Sequence, residues 1–265
     1  MRVVKAIISA SWKEEWMYRV NIISQIIFGI VPLLINIFLW KSIFLYRNGY
    51  SIGDYDYNNI VSYFILVYFV QQMTESRSLS VELGDDIQNG KLNSQLLKPI
   101  SFVKIKFLSF FSKKVSFSLL RLIPIILFFI ISKLKVEVNS RNLWLFILAF
   151  IMAITIQFII GFILGIINFW FEENTAILDF YRNIALLLSG AVFPLSFLPD
   201  TFFMIVSLLP FQLTLYFPIE ILLNNLYPME IRKGLLLQVF WVLILGIFTI
   251  FLWKKGRKKY SGYNM

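Results

Sequence analysis

The chain contains no cysteine and no histidine. Without cysteine there is no disulfide, no thiolate nucleophile and no cysteine metal site. Without histidine there is no Ser-His-Asp triad, no HExxH zinc site and no imidazole proton relay. Charge is also scarce: Asp, Glu, Lys and Arg make up 15% of 265 residues, against about 25% in an average soluble domain. Apolar residues reach 58% and the mean hydropathy is +0.75. A soluble monomer of this composition would expose large apolar patches and aggregate. The sequence therefore indicates an all-α, polytopic membrane protein. Its net charge of +10 is assigned to loops facing anionic headgroups rather than to nucleic acid.

A spanning helix needs about 20 mostly apolar residues. Six stretches qualify or nearly so: Asn21 to Leu45, Ile60 to Val70, Val115 to Ser132, Leu143 to Phe171, Ala176 to Leu198, and Leu235 to Trp253. Before the first span, Val4, Ile8, Trp12 and Trp16 recur at i+4 with Arg2, Lys5, Ser9 and Lys13 on another face. Residues 1–20 are expected to form an amphipathic helix lying in the interface. Residues 21–265 are expected to form one six-helix transmembrane domain, with a loop at 74–114, a hairpin at 190–223 and a basic tail at 254–265.

Lys and Arg set the orientation. The side holding the N-terminus, the 74–114 loop and the tail carries four, seven and five of them, sixteen in all; the other side carries seven. Both termini are expected to be cytoplasmic, and the five tail charges each add about 1 kcal/mol of attraction to membrane lipids of negative charge.

The loop between spans two and three is the one long polar stretch. Leu79, Leu83 and Ile87 repeat at i+4, so a short helix with an apolar stripe is expected, with Gly90 as its C′ residue and Lys91 beside its negative end. Pro99 stops the next segment and Ser101 is placed to cap the helix after it. The stripe needs a surface: packing on the chain's own membrane domain is slightly favoured over a partner's groove, although no partner for it is evident elsewhere in the sequence. Gly84 and Gly90 do not make a Walker A loop, because the spacing is wrong and Lys91 precedes Leu92. The chain is expected to bind no cofactor and to lack a nucleotide site and catalytic residues of its own.

The span centres hold no carboxylate, which disfavours an ion-coupled carrier. Asp179 and Arg182 are spaced i,i+3 and are expected to pair on one helix face. Gly161 and Gly165 have the spacing that lets helices approach closely. Further on, Pro194, Pro199, Pro210 and Pro218 punctuate pieces too short to cross a bilayer but too apolar for water. A re-entrant hairpin fits both facts, with Asp200 capping its first piece and Glu220 sitting at a helix start. Leu208 and Phe211 lie at its tip.

Together these stretches resemble the permease subunits of type-2 ABC exporters, in a bacterial subgroup of roughly this length. Two segments carry the likeness: Asp86-Ile87-Gln88-Asn89-Gly90-Lys91-Leu92 with Leu97-Lys98-Pro99-Ile100, and Leu188-Ser189-Gly190-Ala191-Val192-Phe193-Pro194-Leu195 with the proline punctuation that follows. The resemblance implies an efflux permease in the bacterial cytoplasmic membrane, working with a second permease, either a copy or a different chain. It also implies a separate ABC ATP-binding subunit, which holds ATP and Mg2+. Carried over, ATPase coupling falls on Glu82, Leu83, Asp85, Asp86, Ile87, Gly90, Lys91, Leu97, Lys98 and Pro99. The outer gate falls on Pro194, Pro199, Leu208, Pro210, Phe211, Pro218 and Glu220. The competing class is a non-transport membrane scaffold or assembly protein; an intramembrane aspartyl protease is excluded because neither Gly-Asp pair sits in a GxGD motif.

Overall fold

The computed structural model describes residues 8–13, 17, 19–47, 50–53, 55–97, 99–116 and 140–263. Regular structure among them is helical. Residues 8–13 are a helical piece, followed by α1 (Arg19–Tyr46), α2 (Tyr57–Thr74), α3 (Arg77–Gln88), α4 (Lys91–Leu96), α5 (Phe102–Ser116) and α6 (Ser140–Ile166). After a 3-10 turn at Ile167–Phe169 come α7 (Thr175–Leu188), a second 3-10 turn at Leu195–Phe197, α8 (Asp200–Ser207), α9 (Pro210–Leu213), α10 (Tyr216–Leu222) and α11 (Pro228–Tyr263).

Three segments are long and apolar enough to cross a membrane: Ile27–Tyr46, Asn142–Phe169 and Pro228–Tyr260. They coincide with the first, fourth and sixth sequence stretches. The second stretch, α2, has 18 residues and is buried along most of its length, from Ile60 and Val61 to Val70 and Met73. A helix buried on all sides shows little amphipathic pattern, which explains why its sequence signal is short. The third stretch lies almost wholly outside the described residues. The fifth departs from expectation. Helix α7 ends at Leu188 after 14 residues, about 21 Å at the usual rise, because the chain turns at Gly190. There φ is +88°, and an added Cβ would lie 2.6 Å from the Tyr63 hydroxyl. Only glycine accepts both conditions cheaply.

Apolar packing divides into two clusters. One gathers α2, the first half of α6 and the proline-rich segment, with Tyr55, Tyr63, Ile65, Ile156, Leu213, Tyr216 and Ile219 at its centre. The other joins α3 and α5 to the second half of α6 and the end of α11. In it Phe102 stacks on Trp253, centroids 5.2 Å apart and planes 5° apart, while Phe162 and Phe169 close around the same indole. Polar residues on the apolar helices find local partners. Asn36 donates to the Pro32 carbonyl at 2.9 Å and Thr249 to the Leu245 carbonyl at 2.7 Å, as burial away from water requires.

Candidate functional site

Helix α3 forms because Ser76 to Gln88 lacks breakers apart from Gly84 and has one apolar side. That side is Leu79, Leu83 and Ile87, all buried. The stripe's partner lies within the chain, as the slightly favoured reading expected, although the sequence did not say which segment it is: α3 runs alongside the second half of α6. Gly161 and Gly165 make this possible. A Cβ at Gly161 would lie 2.6 Å from Ser76 Cβ, and one at Gly165 2.6 Å from Leu83 Cβ. The small-residue pair on α6 is thus a seat for the loop helix. Polar contacts extend the seam: Ser80 Oγ donates to the Gly161 carbonyl at 2.8 Å, and Gln88 Nε2 to Asn168 Oδ1 at 3.0 Å.

A second attachment is ionic. Lys106 of α5, 5% exposed, lies between Asp86 (Nζ to Oδ2 2.6 Å) and Glu82. Lys113 reaches Glu82 at 3.3 Å, and Gln95 Nε2 donates to Asp86 at 3.0 Å. Burial alone would raise the Glu82 carboxyl; Lys106 and Lys113 outweigh it and hold the group below its ordinary value. A third attachment is Arg77 to Asp179 of α7, at 2.7 Å. Asp179 therefore pairs across 102 residues, a correction to the expected pair with Arg182.

Of the positions assigned to coupling, the structure divides inner from outer. Leu83, Asp86 and Ile87 face the chain's own core, and Glu82 is half-buried against α5. Asp85, Gly90, Lys91, Leu97 and Pro99 are exposed, and Leu97 is 88% accessible. Lys98 lies outside the described residues. Gly90 holds φ +71° directly after the Asn89 cap, as its C′ placement requires. Ser101 precedes α5 and its carbonyl accepts from Ile105 N at 3.1 Å.

The proline-rich segment is three short helices. Pro210 opens α9 at its first turn, where a missing N–H costs nothing. Pro194, Pro210 and Pro218 are buried, whereas Pro199 is exposed. Asp200 is the first residue of α8, not its cap; Pro199 takes that place, and the carboxylate still favours the helix dipole. Leu208 is exposed and its carbonyl accepts from Trp241 Nε1 of α11 at 2.9 Å; Phe211 is half-buried beside Tyr181. Glu220 corrects its sequence reading. It is 2% exposed and lies in the last turn of α10, not at a helix start. Its Oε1 accepts from Tyr55 Oη at 2.5 Å and its Oε2 from Asn225 Nδ2 at 2.8 Å. Burial first, then the Glu220 charge, pushes the Tyr55 phenol far above its ordinary range. The carboxylate thus fastens the 50–56 loop to α10. The N-terminal piece packs through Ser11, whose hydroxyl donates to Ser109 of α5 at 3.0 Å, while Trp12 is 43% exposed; Trp16 lies outside the described residues.

The described residues form a helical chain with membrane-length apolar helices and a polar loop helix fastened to three of its neighbours, the build of a membrane protein. A profile described as "ABC-2 family transporter protein" matches residues 30–263. The chain belongs to that family. Members supply the membrane-embedded part rather than the nucleotide-binding part, and membership implies association with an ATP-binding subunit in general. No curated protein matches the chain.

Proposed function

We propose that this chain is the path-forming permease of a bacterial ABC exporter, driven by a separate ATPase that docks on the exposed tip of α3 and α4. The supporting observation is the contrast along α3. Its buried side is bonded to α5, α6 and α7, and its far end presents Asp85, Asn89, Gly90 and Lys91, with Leu97 beyond α4. A partner that displaces this tip moves three membrane-side elements at once. ATP and Mg2+ stay on the partner. The shift of such an element from 1:99 to 99:1 requires about 5.5 kcal/mol of differential binding.

On this reading the membrane domain has six spans with both termini cytoplasmic, α8 to α10 form the outer re-entrant hairpin, and a second permease completes the path in the plasma membrane. The sixteen-to-seven basic asymmetry supports the orientation. The absence of native cysteine makes a direct test simple. A cysteine replacing exposed Tyr227 should react with an impermeant maleimide added outside intact cells, and one replacing Asn89 should not. The reverse pattern overturns the topology. Docking is tested by co-purification: Leu97→Asp, at a position 88% exposed, should reduce ATPase recovery while the permease still inserts. Full recovery with Leu97→Asp and with Lys91→Glu overturns the docking site.

A further inference from the structure

Gln157 of α6 and Gln238 of α11, both on long apolar helices, are bonded to the same turn of the proline-rich segment. Gln238 of α11 is fully buried, and its Nε2 donates to the Leu213 carbonyl and the Ala149 carbonyl, each at 2.9 Å. Gln157 of α6 donates from Nε2 to Thr214 Oγ1 at 3.2 Å. The Thr214 hydroxyl spends its own proton on the Phe211 carbonyl at 2.8 Å, so it can only accept from Gln157. Consecutive residues Leu213 and Thr214 are therefore held from two helices.

The other end of Gln157 faces the loop helix. Its Oε1 accepts from Ser76 Oγ at 3.3 Å and from Tyr181 Oη at 3.4 Å. Ser76 occupies the N-cap position of α3, where a serine hydroxyl ordinarily satisfies a free amide of its own helix. Here it makes no such bond. The hydroxyl, on a residue only 5% exposed, is directed to α6 instead, at the place where Gly161 lets the two backbones meet. A helix end that gives up its own cap for a bond to a spanning helix has a position tied to that bond.

We infer that Gln157 and Gln238 are positioning residues that latch the Leu213–Thr214 turn, and that Gln157 makes the latch depend on where Ser76 sits. Gln238 anchors the turn to α11 and α6 through backbone carbonyls. Its Oε1 has no partner among the described residues. Gln157 is the other point, and the one that communicates. Displacement of α3 removes the Ser76 bond, frees the amide to rotate, and loosens its hold on Thr214. The reciprocal holds as well: release of the turn weakens the seat of α3, as linkage demands.

The experiment needs neither an ATPase nor a substrate, so its failure is separate from any failure of the exporter reading. Full-length permease in lipid nanodiscs carries spin labels on cysteines replacing exposed Phe202 of α8 and exposed Leu236 of α11. Pulsed electron resonance reads the distance distribution between them. The parent should show one narrow population. Ser76→Ala, Gln157→Leu and Thr214→Val should each add a second, longer population, although Ser76 belongs to a different element from either label. Ser76→Ala should add nothing further once Gln157→Leu is present, the non-additivity that marks a shared connection. Thr155→Val, which removes a hydroxyl bonded only to its own helix at Ile151, should leave the parent distribution intact. If Gln157→Leu does not insert, Gln157→Asn, one methylene too short to bridge, takes its place with the same expectation. An unchanged distribution in Ser76→Ala, or equal and independent effects of Ser76→Ala with and without Gln157, overturns the inference.

Discussion

Gly165 of α6 lies directly beneath Leu83 of α3, so close that a methyl group there would stand 2.6 Å from Leu83 Cβ and 2.9 Å from its Cδ1. Leu83 is fully buried, and the next nearest atom to such a methyl is the Ser80 carbonyl oxygen at 3.1 Å, which is backbone. Gly165→Val should cost at least the 1–3 kcal/mol typical of overpacking, about 3 at this seam. Hydrogen exchange of the α3 amides measures it: their protection should fall while that of α2 persists.

The Lys106 junction predicts acid sensitivity. Glu82 has a lowered carboxyl pKa in the fold, so its share of stability is present above its ordinary value of 4.5 and is lost as pH falls below it. Protection of α3 should decline between pH 5 and about 3. Glu82→Gln should flatten that limb and lower protection at pH 7. An acid limb unchanged by Glu82→Gln assigns the loss to another group.

Tyr55 and Glu220 predict the opposite limb. The phenol is raised in the fold, so its contribution is intact below its ordinary value of 10.0 and erodes as pH rises past it, where the unfolded chain ionises first. Tyr55→Phe should remove this alkaline erosion. It should also cost about 1.5–3 kcal/mol at neutral pH, because the buried carboxylate loses the phenol as a donor. Thermal melting in detergent across pH 8 to about 11 distinguishes the two effects.

Substitutions on α3 and its loop should sort by exposure. Ile87, 6% exposed, packs within the chain, so Ile87→Asp should lower the yield of folded permease before any ATPase is added. Leu97→Asp, at an 88% exposed position, should leave yield and melting unchanged. Gly90→Ala should cost about 1–2 kcal/mol through its φ of +71° alone, since an added Cβ meets nothing within 4 Å.

How legible these features were depended on whether the cause was local. The C′ glycine at Gly90, the proline breaks of the 190–223 segment and the three long apolar helices follow from neighbours in sequence, and each stands where expected. The i+4 repeat of Leu79, Leu83 and Ile87 marked an apolar face but not its partner, because periodicity describes one surface at a time. The Gly161/Gly165 spacing was the complementary surface, and nothing in either pattern said that the two would meet. The same limit hid Asp179, which found Arg77 through the tertiary fold, and Glu220, whose spacing from Pro218 resembled a helix start and gave no sign of a buried acceptor for Tyr55. Span five was overread because its apolar run continues past Gly190, while the backbone does not.

Helix α11 has 36 residues, which corresponds to about 54 Å of rod against a hydrocarbon layer of about 30 Å. It touches the proline-rich segment on one side of its middle through Gly234, Gln238 and Trp241, and Phe169 on the other side through Gly256. An unbroken rod cannot tilt at one end alone. A few degrees of lean about its middle displaces both ends by about an ångström or two in opposite senses, by the same rise per residue. The basic residues Lys254 to Lys259 sit on the outboard arm of that seesaw. A lean driven at the basic end therefore moves the contacts of Gly234, Gln238 and Trp241 with the proline-rich segment in the opposite sense, by leverage and without touching that segment.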